Sequence, residues 1–339
     1  MTLGIESYFG RLTAMPEIGQ RGLNRLQAAD LAVVGTGGVG SASACYLASI
    51  GVGKLRLIDQ DIVEETNLHR LSGIGQEDLH APKAEALARS INSRYPWTKA
   101  TPTIETLRTD NCSSLLGGVD LIVDGTDNFP TRYVLNRFSA KYKVPYLFTS
   151  AIANQGHLSL FTGPSTPCLE CVMPGQEADP AQSCETLGVS PTTVGVIGGL
   201  AAAEAGKHLL GMPSKIHGHL LTVDFGGPDF VFTKTLKKET CGTCGNSSRE
   251  DGPTDSVVML CGGGVANVLP EKDLRVDIQS LRSKIASADV MASSESVLVY
   301  TRRGHRISVF KTGRVLVSDV PDVAAARELA EEVWSEMLK

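Results

Sequence analysis

Nowhere in the 339 residues do apolar side chains run on for the ~20 positions that a membrane helix needs. The opening stretch MTLGIESYFGRLTAMPEIGQRGLNRL is broken by charge and glycine and holds no apolar signal core. A cytoplasmic protein with no membrane attachment is therefore expected. Basic runs are missing too. The 32 Lys and Arg stand against 37 Asp and Glu, a formal net charge of −5, which argues against nucleic acid and against an anionic membrane surface as partners. There is no internal repeat. Nor does a secretion signal accompany the eight cysteines, at positions 45, 112, 168, 171, 184, 241, 244 and 261, so a disulfide framework is not expected in a reducing compartment. Four of them form two CxxC pairs, PCLEC and CGTC, and that spacing points first to metal.

What is present is enough apolar material, 42% of the chain with 20% charged residues, for a globular protein of about two domains. The first half alternates strand and helix. Apolar runs ending at Val33-Val34, then KLRLID, ATPTIETL, VDLIVDGT and VPYLFTSA read as five strands; GVGSASACYLASI, the stretch after Pro82 and PTRYVLNRFSAKY read as helices. Continuous apolar strands joined by helices imply a Rossmann-like, mainly parallel sheet covered on both faces. Beyond Gly156, HLSLF, HLLTVDF and FVFTKTL predict an antiparallel extension, with a helix over TTVGVIGGLAAAEAGKHLLG. The polar GNSSREDGPTDS reads as a linker. The expected division is a nucleotide-binding domain over 1–245, a linker over 246–256 and a small α+β domain over 257–339.

Gly35, Gly37 and Gly40 fit the G-x-G-x-x-G spacing, and Asp59 lies about 20 residues on, at the end of the second strand. Such a loop lets backbone N–H groups and a helix N-terminus meet phosphate oxygens while the acid binds a ribose hydroxyl. Taken alone it fits an NAD enzyme. The following segment, LIDQDIVEETNLHRL, changes that reading: Asn67 and Arg70 stand one helical turn apart, and Lys83 follows Pro82. A dinucleotide does not ask for these cations, whereas a triphosphate cleaved between α and β does, because charge builds on the leaving pyrophosphate. Asp127, in DGTDN at the end of the fourth strand, is placed to hold Mg²⁺ shared with the phosphates.

GTGGVGS, LIDQDIVEETNLHR, PKAEA, DGTDNFPTRYVLN, the two CxxC pairs and GVSPTTVGVIGGLAAAEAGK together resemble the ubiquitin-activating-enzyme-like adenylyltransferases, the ThiF/MoeB/HesA group, over about residues 4 to 245. The resemblance implies ATP-dependent adenylation of the C-terminal Gly-Gly carboxylate of a small ubiquitin-like sulfur carrier, with a cysteine desulfurase or another sulfur donor downstream. It implies that Gly38 and its neighbours hold the triphosphate, Asp59 the ribose, Asn67, Arg70 and Lys83 the phosphates, Asp127 the metal and Asn128 the nucleotide beside it. Arg11, in YFGRLT, matches the family's N-terminal arginine, which reaches the partner subunit's ATP site; a homodimer follows. Here that motif departs from the family's Arg-Tyr-x-Arg-Gln pattern, with Ser7 and Leu12 at its ends.

Cys168, Cys171, Cys241 and Cys244 have the spacing of a closed, structural Zn²⁺ site that staples two loops. A redox pair is the alternative, disfavoured because neither CxxC is expected to open a helix. Cys184, on the polar DPAQSCETLGVSP, is the candidate nucleophile for the step after adenylation, and Cys261 is its competitor. Two further readings use the same residues: adenylation of a small-molecule or peptide carboxylate, and a non-catalytic subunit, against which the retained Arg70, Lys83 and Asp127 argue.

Overall fold

The computed structural model describes residues 4–163, 166–176, 187–227, 229–245, 257–259, 264–270 and 274–337. Five strands, β1 (Asp30–Val34), β2 (Lys54–Ile58), β3 (Lys99–Thr103), β4 (Leu121–Asp124) and β5 (Tyr146–Ile152), run parallel in the order β3-β2-β1-β4-β5. Three more, β6 (Gln155–Phe161), β7 (His219–Asp224) and β8 (Asp229–Lys234), extend the sheet antiparallel beyond β5. The third strand is shorter than ATPTIETL suggests. Past Thr103 the chain leaves the sheet, and Glu105 to Leu107 turn along a cavity.

Strand residues alternate between two cores, as the pleat requires. Leu31, Val33, Leu55, Leu57, Leu121 and Val123 face one side. There they meet helices α2 (Gly38–Ser49), α3 (Lys83–Arg94) and α5 (Pro191–Leu210), with Leu26 of α1 (Gly19–Ala28) at the margin. Ala32, Val34, Ile58, Ile122, Tyr146 and Phe148 face the other side, covered by α4 (Phe129–Tyr142). Small residues set the spacing of α5 on α2: a Cβ on Gly198 would stand 3.0 Å from the Val39 carbonyl oxygen.

The C-terminal domain is a second, wholly antiparallel sheet of six strands: β9 (Val257–Met259), β10 (Val265–Val268), β11 (Val290–Ser293), β12 (Val297–Arg302), β13 (His305–Phe310) and β14 (Val315–Ser318), in the order β11-β12-β13-β14-β10-β9. One face packs on α6 (Ile278–Lys284) and α7 (Val323–Met337) through Leu281, Leu298, Ile307, Val317, Ala326 and Leu329. The opposite face, through Val297, Val299, Phe310 and Leu316, buries Ile62 and packs on Ile104, which follow β2 and β3 of the first sheet. The expected linker, 246–256, lies outside the described residues. Among the described residues no helix is long and apolar enough to cross a membrane.

Candidate active site

β1 has β2 on one side and β4 on the other, so the connections leave it in opposite directions. That switch opens a crevice at the carboxyl ends of the strands. Three glycines make it possible for the loops to close there. Gly35 holds φ at +82° and a Cβ on it would come within 2.7 Å of the Gly125 carbonyl oxygen, while Cβ atoms on Gly40 or Gly125 would collide with the Gly35 carbonyl oxygen. Backbone thus packs on backbone, and the β1–α2 turn and the β4–α4 turn stand side by side. α2 begins at Gly38 with Gly37 as its cap and no side-chain cap, so no capping side chain takes up its first N–H groups.

The resulting cavity is about 650 Å³ and is lined by Gly35, Gly37, Gly38, Asp59, Asn67, Arg70, Lys83, Asp127 and Asn128. Every nucleotide-site residue named from the sequence is therefore on its wall except Gly40, which packs behind it. Asn67 and Arg70 sit on a short 3-10 helix, Glu65–Arg70, and Arg70 Nη1 donates to the Thr66 carbonyl at 2.8 Å. Lys83 opens α3, and its Nζ donates to Asp61 Oδ2 at 3.2 Å. Burial works against the charge on Lys83, but Asp61, Asp59 and Asp127 outweigh it and hold the ammonium above the usual lysine range. Asp59 accepts from Thr36 N at 2.6 Å, Thr36 Oγ1 at 2.9 Å and Asp61 N at 2.8 Å. Burial, then the neighbouring Asp61 charge, push its carboxyl above the ordinary range.

Asp127 is exposed on the cavity wall, the donor type and the setting that a divalent cation shared with phosphates requires. Its neighbour Asn128 caps α4, accepting from Thr131 N at 2.9 Å through its side-chain oxygen. This helix-terminal role accompanies its place on the wall and was not expected from the motif. Beneath this turn lies an ion pair that sequence reasoning missed. Asp124, fully buried, accepts from Thr126 N at 2.9 Å and Tyr146 Oη at 2.5 Å and faces Arg132 at 3.7 Å. Arg132 Nη2 donates to the Thr126 carbonyl at 2.5 Å, and the guanidinium lies over the rings of Phe129 and Phe148. An aspartate closing the apolar run LIVD was the available sign of a buried charge; for Arg132 there was none. His157, also on the wall, has its Nδ1 3.2 Å from Ser150 Oγ, and burial, with Arg132 adding to it, lowers its pKa.

Arg11 is exposed on a short helix, Gly10–Thr13, and does not line this cavity. The preceding Phe9 packs against Gly51, near the end of α2 remote from the glycine loop. Cys184 and Cys261 lie outside the described residues.

Sγ atoms of Cys168, Cys171, Cys241 and Cys244 all lie within 4.8 Å of one another, with Cys168–Cys241 at 3.6 Å, Cys171–Cys244 at 3.4 Å and Cys168–Cys171 at 4.0 Å. Thiolates ~2.3 Å from a tetrahedral Zn²⁺ stand about 3.8 Å apart, so the donor set fits that ion. One expectation is corrected here: Cys168 does open a helix, the single turn Leu169–Val172. The redox reading gains nothing from it, because burial drives the Cys168 thiol up rather than down.

A doubly wound domain with a glycine loop, a cavity lined by cations and carboxylates at the strand ends, and a four-cysteine cluster defines the class of protein. The chain belongs to the ThiF family, whose model matches residues 9–243. It is 34% identical to the adenylyltransferase and sulfurtransferase UBA4 of Yarrowia lipolytica over 71% of this chain and 62% of that protein, and so spans less than two thirds of that relative's length. With the sulfur carrier protein adenylyltransferase of Thermus thermophilus it shares 33% identity over 70% of this chain and 90% of that one. The crystal structure of E. coli MccB with ATP has the same fold, with a TM-score of 0.59 at 20% identity over 66% of this chain and 69% of that one.

Proposed function

We propose that this protein adenylates the C-terminal Gly-Gly carboxylate of a small ubiquitin-like sulfur carrier. The observation that carries the reading is the convergence of Gly35, Gly37, Gly38, Asp59, Asn67, Arg70, Lys83 and Asp127 on one cavity, in a chain related to the Thermus sulfur carrier adenylyltransferase. A carboxylate oxygen of the tail attacks the α-phosphorus, the bond from that phosphorus to the bridging oxygen breaks, and pyrophosphate leaves. Arg70 and Lys83 face the charge that collects on it, Asp59 holds the ribose, and the first N–H groups of α2 meet phosphate oxygens. Mg²⁺ held by Asp127, when bound, neutralises phosphate charge. Zn²⁺ on the four cysteines has a structural part only.

Carrier-dependent ATP–pyrophosphate exchange tests the reading. A carrier ending in Gly-Gly should start exchange and the same carrier shortened by its last two residues should not, while Asp127→Ala should lower the rate by about 10². Exchange triggered instead by a free amino acid or a short peptide would move the substrate to the small-carboxylate class. Cys184 is proposed to act only after adenylation, on the acyl-adenylate that a sulfur donor also approaches. Cys184→Ser should keep exchange and lose any covalent carrier adduct; normal sulfur transfer by that variant would make the thiol incidental.

A further inference from the structure

The C-terminal domain reaches the nucleotide cavity without lining it. Arg314, between β13 and β14, is 2% exposed, and its guanidinium stacks 3.6 Å from the centre of the Phe310 ring. Nη1 donates to Asn267 Oδ1 at 3.3 Å, and Nη2 donates to the Gln60 carbonyl of the first domain. Asn267, 2% exposed, donates to Thr106 Oγ1 at 3.1 Å and to Gln60 Oε1 at 3.4 Å, while Thr106 donates to the same Gln60 oxygen at 2.7 Å. Gln60 is the residue between Asp59 and Asp61. Its carbonyl belongs to the peptide whose N–H, that of Asp61, donates to Asp59, and Asp61 in turn holds Lys83.

We infer that Arg314 is a positioning residue for adenylation, fixing from the C-terminal domain the Asp59–Asp61 segment on which the ribose acid and Lys83 both depend. Three features favour this over simple domain docking. Docking is already served by the apolar contact of Val297, Val299, Phe310 and Leu316 with Ile62, which needs no buried cation. A guanidinium so far from water is costly unless its charge and donors are used. Burial pushes the Arg314 pKa down to about 10, and Asp61, Asp59 and Glu105, the charges that face it, oppose that shift and favour the protonated form. Its cation also screens the repulsion between Asp59 and Asp61, so removing it loosens the segment twice over, by a lost hydrogen bond and by a lost charge.

The inference rests on the proposed ATP-dependent activity, and direct ATP binding to the full chain separates the two. Arg314→Met keeps the buried stem and removes the donors and the charge; it should weaken ATP binding by calorimetry about tenfold. Arg314→Lys, with a single donor nitrogen and the charge, should stay within about threefold of the parent. Leu316→Ala loosens the apolar contact but touches no group on Gln60, and should lower the melting temperature while leaving ATP affinity within about twofold. Combined with Asp61→Asn, Arg314→Met should add no more than about twofold to the loss from Asp61→Asn alone, since both act on one segment. Equal weakening by Leu316→Ala and Arg314→Met, unchanged binding in Arg314→Met, or multiplicative losses in the double variant would each overturn the inference. Should Arg314→Met fail to fold, Arg314→Gln, which loses the charge, takes its place: it should weaken ATP binding at least about fivefold where Leu316→Ala stays within about twofold, and equal weakening by the two leaves docking as the only role. A parent protein that binds no ATP would instead sink the activity itself.

Discussion

Lys83 shows how a residue acquires its chemistry from neighbours that are close only in space. Its sequence position next to Pro82 places it at the start of α3, and the fold brings Asp59, Asp61 and Asp127 around it. The linkage has a definite sign. A base whose folded-state pKa is raised above its ordinary value of 10.5 contributes stability that is complete below that value and is lost as pH rises through the folded one. The stability difference between the parent and Lys83→Met, from urea unfolding, should therefore stay level from about pH 7 to about pH 10 and shrink only above that. A difference already decaying near pH 8 would mean that the carboxylates do not hold the proton. Much at this scale was legible: Asp59, Asn67, Arg70, Lys83 and Asp127, picked out of the sequence as one set, share one cavity wall. Arg132 and Asp124 were not, since the turn from β4 into α4 brings the two together and no motif of charges announces that turn's shape.

At the scale of elements, two devices hold the site. The first is the backbone-on-backbone contact of Gly35, Gly40 and Gly125, of which the glycine motif predicts two members and the turn after β4 supplies the third. The second is the cysteine staple, which ties the segment after β6 to the one after β8. Elemental analysis should find about one zinc per chain. Burial pushes the Cys244 thiol up to about 12, so a metal that binds its thiolate has a proton to displace. Cys241→Ser should lower the zinc content and the melting temperature together; unchanged thermal stability with zinc lost would deny the staple a structural part. The strand and helix register was readable because continuous apolar runs separated by helical ones have few other solutions. The strands β10 and β11 and helix α6 escaped notice, being short and weakly patterned.

At the scale of the molecule, Arg11 is the open element. It is exposed and off its own chain's cavity, which is the geometry a residue serving a second subunit would have. If it acts across a homodimer, Arg11→Ala mixed with Asp127→Ala should restore exchange through one intact site per mixed dimer. Failure to complement despite verified subunit exchange would leave Arg11 without a part in the reaction.

The amino-acid order alone determined the parallel sheet, the glycine loop, the family and the four cysteines, because each is written in local periodicity or short spacing. Only the tertiary structure decided which groups share the cavity wall, that Asn128 caps α4 while lining it, and that the C-terminal domain grips the Asp59–Asp61 segment. Arg314 and Gln60 are far apart in the chain and meet by a hydrogen bond from a side chain to a backbone carbonyl. Every residue offers a backbone carbonyl, so nothing in the sequence marks which one will be chosen.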